Sequence, residues 1–383
     1  MLRKIRLLSF TGVRCSALCV LAASLSYTAV ASGQDTSRQY LETKLVSNIP
    51  GEAAVTDPNL VNAWGLARSS GSPWWVADNG KGLSTLYDGA GAIQKLVVTV
   101  PPADPKSPPG TPTGMVFNGD PKAFLLAPGK PAIFIWVTED GTISGWNPGV
   151  NPTVAKVVVN ETGESVYKGV TIATATIRGK TGSFLYVADF RQGVVQIYDS
   201  NFQHVAILNV GTTEPSDDDG VGGAPGFAPF NVQNIGGLIY VAYAKQDAAK
   251  HDEVDGPGLG VVKVYTPQGK WLRDFQHGNF LNAPWGMVLA PSDFGAFTHN
   301  LLVGQFGSGQ IAAFDNVTGG FLGFLQDKTG KPLAIDGLWA LSPGNDQKAG
   351  PATSVFFSAG PNHEQDGLFG TLTAVSNPQG SHQ

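Results

Sequence analysis

The chain has 383 residues, of which 14% are charged, 42% hydrophobic and 10% aromatic, with 49 glycines and 26 prolines. That much apolar and aromatic material excludes a disordered chain, and the glycines and prolines point to a fold dense in turns. Acidic residues outnumber basic ones 30 to 25 and no arginine-rich stripe occurs, which excludes an electrostatic binder of nucleic acid.

Residues 1–31 read as a secretory signal peptide. Arg3, Lys4 and Arg6 precede a mostly apolar stretch, 15–25, and Ala29-Val30-Ala31 supplies the small-x-small cleavage pattern. The apolar run is shorter than the roughly 18 residues needed to span a bilayer. Both cysteines, Cys15 and Cys19, fall inside this segment, and Leu18 directly before Cys19 argues against a lipid-attachment box. The expected mature chain, 32–383, then has no cysteine, no membrane span and 21 basic against 30 acidic residues, a charge of −9. It is expected to be secreted or periplasmic.

Residues 40–47 (YLETKLVS) alternate and predict a strand that closes the last unit of a ring. The organising unit follows at 62–91: Asn62-Ala63-Trp64-Gly65-Leu66, Trp74-Trp75-Val76-Ala77-Asp78, and 83–88 (LSTLYD), with an outer strand at 93–100. Short β-rich runs split by Gly, Pro, Asn and Asp predict an antiparallel meander. A Pro-rich connection at 101–112 leads to a second unit, with strands at 132–137, 142–146 and 154–159 and a tight turn at Asn118-Gly119.

The third unit repeats the first most closely, at 184–189 and 194–199. A fourth has strands at 238–243 and 260–265 with two long insertions. The fifth repeats Trp-Gly at Trp285-Gly286, then 301–304 and 311–315, and the sixth holds 337–341, 355–359 and 367–373. The third-strand aromatics Tyr87, Trp146, Tyr198, Tyr265 and Phe314 recur at steps of 59, 52, 67 and 49 residues. Repetition at this period predicts an all-β, six-bladed β-propeller. A β-sandwich, the structural alternative, offers no reason for a Gly-rich first strand in every unit. No convincing helical periodicity follows residue 31.

The repeated Val-Ala-Asp, then Gly, then Tyr-Asp, at 76–88 and 187–199, resembles NHL-type and TolB-like six-bladed propellers. The mature chain, above all Asn59-Leu60-Val61-Asn62-Ala63-Trp64-Gly65-Leu66, resembles a family of exported bacterial proteins of unassigned activity. That resemblance implies a six-bladed propeller and export. Some relatives end in a sorting anchor, but 376–383 (SNPQGSHQ) carries no hydrophobic tail.

In a propeller, the loops leading into each innermost strand and the loops joining the second and third strands share one face. The first set offers Asn62, Trp64, Thr111, Thr113, Lys168, Asn231, Asn282, Trp285 and Asp336. The second offers Asp78, Asn79, Lys81, Glu139, Asp189, Arg191, Gln305, Asn362 and His363. Asn62, Asn231, Asn282 and Asp336 recur at near-equivalent positions, and a ring of such oxygens would suit Ca²⁺. Turn capping is the competing reading for the same residues, and an Asx-turn is that for Asp78 and Asp189. Trp64, Trp285 and Trp339 would stack on a sugar, or else fill space between blades.

The fourth unit's insertions carry Asp217-Asp218-Asp219 and His251-Asp252-Glu253 with Asp255, as a Ca²⁺ site, a lid or a solvated loop. No His-Glu-x-x-His, no Gly-x-Ser-x-Gly and no nucleotide-binding glycine motif occurs. The sequence therefore suggests a protein that holds a small molecule, glycan or protein on its loop face. A Ca²⁺-dependent hydrolase or lactonase is the alternative, weakened by the lack of a glutamate beside Asn62, and a structural surface or matrix protein is a third.

Overall fold

The computed structural model describes residues 37–107, 109–208 and 226–375. The signal-peptide reading, most of the first insertion of the fourth unit including its Asp217-Asp218-Asp219 run, and the tail 376–383 lie outside them. The only helical segments among the described residues are two 3-10 turns, Asn79–Lys81 and Gly295–Phe297.

The strands form six antiparallel blades. From the inside outward, blade one comprises Ala63–Ala67, Trp74–Asp78, Leu83–Tyr87 and Val98–Thr99, and blade two Pro112–Phe117, Phe134–Thr138, Thr142–Trp146 and Lys156–Asn160. Blade three comprises Tyr167–Ile177, Lys180–Asp189, Val194–Tyr198 and His204–Leu208. Blade four comprises Phe227–Ile235, Leu238–Gln246, Gly260–Tyr265 and Trp271–Asp274. Blade five comprises Pro284–Leu289, Leu301–Gln305, Ile311–Phe314 and Phe321–Phe324. Blade six takes Leu338–Pro343, Val355–Ala359 and Leu368–Ala374 from the end of the chain and its outer strand, Tyr40–Ser47, from the beginning. That strand runs antiparallel to Leu368–Ala374, from Tyr40 opposite Ala374 to Ser47 opposite Leu368. The ring is thus closed by hydrogen bonds between the two ends of the chain, and each innermost strand touches that of the next blade all the way round.

The middle strands read as unbroken apolar runs because both faces of every blade are covered. Trp74–Asp78, Phe134–Thr138 and Val355–Ala359 are buried at all five positions. One hydrophobic cluster fills each of the six gaps between neighbouring blades. Trp75, Met115, Phe134 and Trp136 join blades one and two, for example, and Leu302, Leu338, Val355 and Phe357 join five and six.

Glycine is needed where adjacent inner strands meet most closely. A Cβ at Gly169 would stand 2.2 Å from Asn231 Oδ1 and 2.7 Å from Asn231 Cα, and one at Gly65 would stand 2.4 Å from the Thr113 carbonyl. Gly169→Ala is therefore expected to lower the stability of the protein by about 1–3 kcal/mol, the ordinary range for overpacking. A denaturant midpoint equal to that of the wild type would show that these strands do not approach as described.

Some boundaries differ from expectation. The outer strand of blade one is only Val98–Thr99, because Asp88 Oδ1 accepts the N–H groups of Ala90 and Ala92 and turns the chain away first. The first hairpin of blade three is longer than predicted, its Thr/Ala alternation pairing as far as Ile177 with Lys180. After Asn118 the chain makes a small extra hairpin, Leu125–Ala127 with Lys130–Pro131, held by the Asn118 carboxamide donating to the Ala123 and Ala132 carbonyls.

Candidate functional site

The residues preceding the tight inner-strand approaches include Trp64, Lys168, Phe230, Trp285 and Trp339, from blades one, three, four, five and six. Their side chains meet across the ring. Trp64 stacks on Trp339 at 3.6 Å between ring centroids and meets Trp285 edge-on at 6.4 Å, while Phe306 stacks on the other side of Trp339 at 4.0 Å. Trp64 and Trp285 come from blades one and five, which are not neighbours, so these rings meet at the axis as an aromatic plug. Trp64, Trp285 and Trp339, for which the sequence left ligand stacking and packing between blades open, are 1%, 4% and 0% exposed.

Lys168 lies against this plug, fully buried, with its ammonium 5.1 Å from the Trp64 ring centre. Nζ donates to Glu139 Oε1 at 2.6 Å and to Asp252 Oδ1 at 3.2 Å. His251 Nδ1 stands 2.9 Å from the same Asp252 oxygen. Glu139 Oε2 accepts from Asn79 Nδ2 at 2.9 Å, and Asn62 Nδ2 donates to Asn79 Oδ1 at 3.2 Å and to Glu364 Oε2 at 2.6 Å. The remaining Asn62 oxygen accepts the Trp339 indole N–H at 2.9 Å. One network thus ties blades one, two, three, four and six to the plug.

The electrostatics of the cluster are lopsided. Burial pulls the Lys168 pKa down, but Glu139, Glu253 and Asp252 together outweigh it and hold the ammonium above the ordinary lysine range. The bond from His251 keeps the Asp252 carboxyl well below its usual range, and the same bond raises the imidazole. Burial raises Glu364, with Glu139 adding to the effect. Burial also pushes Glu253 up to about 8, with Glu364 and Asp255 adding and Lys168 opposing.

Glu253 therefore keeps its proton near pH 7, whereas in the unfolded chain it ionises near its ordinary 4.5. Between those values the folded state holds the extra proton, so this group's contribution to stability falls as pH rises through the window. Glu253→Gln is expected to flatten the fall, read from denaturation of both proteins at about pH 5 and about pH 8. An unchanged slope would contradict the assignment.

The turn that presents Glu364 is strained. Asn362, His363 and Glu364 take φ values of +57°, +53° and +64°, three successive non-glycine residues in the left-handed region. Each costs about 1–2 kcal/mol, and such strain tends to collect at functional sites. Asn62 itself has φ +46°.

Of the other residues picked from sequence, Asp78 is fully buried and accepts the Thr85 N–H, while burial drives its carboxyl well above the usual range. Asp189 accepts from Gln192 N and Gln196 Nε2 inside its hairpin. Arg191 donates to the Gly163 carbonyl, and Gln305 Oε1 accepts the Asn282 N–H. His363 is exposed on the strained turn.

The proposed cation ring of Asn62, Asn231, Asn282 and Asp336 is engaged within the fold. The side-chain oxygens of the first three accept N–H groups of Trp339, Val232 and Gly256, and Asp336 Oδ2 accepts that of Asn362. Among the described residues, the metal-ligating side chains that converge are Glu139, His251 and Asp252, whose donor atoms all lie within 4.8 Å of one another. Glu364 carried no sequence signal, since it follows the expected Asn362 and His363 in an irregular loop. The strand that Glu253–Val254 adds beside Lys245 and Gln246 brings the insertion over Lys168, a pairing of only two residues.

No family model matches the chain. An uncharacterised protein of Acanthamoeba polyphaga mimivirus is 34% identical over 336 residues, 86% of this chain and 84% of its own. A second from the same virus is 32% identical over 335 residues, 86% of this chain and 78% of its own. These relatives are viral, where the sequence reading expected exported bacterial proteins. Among solved structures a glucose dehydrogenase is similar, with a TM-score of 0.50 at 12% identity over 88% of this chain and all of the other. At that identity the likeness speaks to the propeller fold.

Proposed function

Because the chain belongs to the family of these two uncharacterised mimivirus proteins, which brings no activity with it, we propose from its own site that it is a binding protein taking a small cationic ligand on the loop face above the plug. The observation that carries this reading is the surplus of carboxylates around Lys168. Glu139, Asp252 and Glu364 come from three different blades, while one ammonium and one imidazole oppose them and Glu253, protonated near pH 7, adds a neutral carboxyl. The Asp252 side chain is 61% exposed, so the cluster opens to solvent at this carboxylate. An organic ammonium with two or more N–H donors matches this arrangement. The leader-like residues 1–31 support placing the binding outside the cytoplasm.

The convergence of Glu139, His251 and Asp252 favours a second reading, a metal-dependent hydrolase with these side chains as ligands. In that case the Lys168 ammonium, now bonded to two of the three, would have to withdraw. Thermal unfolding with a short alkyl diamine, with Ca²⁺ and with Zn²⁺ separates the two. Saturation at 100 times Kd adds about 2.7 kcal/mol to stability. Stabilisation by the diamine supports the binding reading. Stabilisation by metal alone, together with turnover of lactones or esters, supports the second. No response to any of the three overturns both.

A further inference from the structure

The loop between the second and third strands of blade four spans 247–259, where blade three makes the same connection with 190–193. Residues 247–255 of it lie over Lys168, which is fully buried, yet none of them is buried itself and Val254 is 41% exposed. No apolar packing holds this segment down.

The tip is closed on itself. The Asp247 N–H donates to the Asp252 carbonyl at 2.8 Å, and Asp247 Oδ1 accepts the His251 N–H at 2.8 Å. Its fastenings to the rest of the fold are few and polar. Glu253 and Val254 pair with Gln246 and Lys245, and Asp252 Oδ1 accepts from Lys168 Nζ at 3.2 Å. Among the described residues, that is the one hydrogen bond from 247–255 to another blade. A foot follows, where Asn282 Oδ1 accepts the Gly256 N–H at 2.7 Å and the Leu281 carbonyl accepts that of Gly258 at 2.8 Å. Gly256 and Gly258, the latter at φ +81°, give the foot the backbone freedom of a hinge. A segment without buried apolar residues opens at a far smaller free energy than the strands it springs from.

We propose that 247–255 is a hinged lid on the Lys168 cluster, which opens as a unit to uncover Lys168 and Glu139 and closes on the ligand with Asp252. The identity of the ligand rests on the cation-binding reading above, and the opening does not. A diamine held by Glu139 and Glu364 of the body and by Asp252 of the lid fastens the two together.

The test is acetylation of the folded full-length protein with an N-hydroxysuccinimide ester, followed lysine by lysine by mass spectrometry. Lys168 is expected to react about tenfold or more faster than Lys263, which is buried within blade four against Asp274. Low urea is expected to speed Lys263 and not Lys168, because opening the lid exposes little surface. Asn282→Ala frees the foot without touching Lys168 and is expected to speed Lys168 about three- to tenfold. Without the acylating reagent, deuterium uptake by 247–255 is expected to slow about tenfold in 1,4-diaminobutane at ten times its Kd. The lid is overturned if Lys168 reacts no faster than Lys263 or rises with urea alongside it. It is also overturned by an unchanged rate in Asn282→Ala, or by a diamine that binds in calorimetry and leaves the uptake as it was. Should Asn282→Ala not fold, the urea comparison in the wild type decides. A protein that passes the labelling tests and binds no diamine keeps the lid and loses the cation reading.

Discussion

Lys168→Met is expected to lower the unfolding free energy by about 3–5 kcal/mol, the usual cost of removing one partner from a buried ion pair. The methionine replaces the aliphatic stem well, so the loss comes from charge rather than volume. Glu139, whose side chain is 13% exposed, keeps its bond from Asn79 but faces Asp252 and Glu364 without the ammonium between them. A double variant, Lys168→Met with Glu139→Gln, is expected to recover part of the loss, because the uncompensated charge is then gone. The exposed pair of Lys44 and Glu52 makes the contrast, since its removal is expected to change stability by about 1 kcal/mol or less. Urea denaturation of the variants checks all three. A Lys168→Met protein as stable as the wild type would mean that the ammonium does not hold the cluster together.

The second large effect is expected from the plug. Trp339→Ala should cost about 3–5 kcal/mol, as for other buried aromatic truncations, because it opens a hole between Trp64 and Phe306 on the axis itself. Trp339→Phe keeps much of the stacking and removes only the indole donor. It leaves the Asn62 oxygen without its hydrogen bond, for a cost of about 1–3 kcal/mol. Because the other end of the same carboxamide holds Asn79 and Glu364, this milder variant should also loosen the ligand site. Denaturation gives the first number. Comparing diamine binding before and after Trp339→Phe tests the coupling, and unaltered affinity would show that the plug and the site are independent.

The fold was legible in the sequence because a blade is a local object. Five of the six blades are each written in one consecutive stretch, with steps of 49 to 67 residues between third-strand aromatics, and their Trp-Gly, Val-Ala-Asp and Tyr-Asp signals answer to contacts inside the blade or with the next one. Tyr40–Ser47 was legible as the closing strand because it alternates and precedes the first full blade. The site was only half legible. Asn62, Asn79 and Lys168 were found from their place in the repeat, since the repeat fixes which end of a strand faces the mouth.

What the repeat does not fix is where long loops land. Glu253 reaches the cluster through a two-residue strand pairing, and Glu364 through a left-handed turn of Asn, His and Glu, residues that rarely adopt that conformation in succession. The repeat also hides the difference between a residue lining an open channel and one closing it. Trp64 and Trp285 occupy the expected positions, but the large rings of blades one, five and six meet and bury one another. Likewise Asn231 and Asn282 occupy equivalent positions without sharing a task. Asn231 donates to the Trp285 carbonyl of the next blade, and Asn282 anchors the blade-four insertion through Gly256.

Calorimetric titration of the wild type and of Glu364→Gln with 1,4-diaminobutane near pH 7 tests the functional account most directly, because Glu364 belongs to the carboxylate surplus and has no bond to Lys168. The account predicts saturable one-to-one binding by the wild type, weakened about tenfold in the variant and weakened further by added salt. Absence of binding, or the same affinity with and without the Glu364 charge, would contradict it.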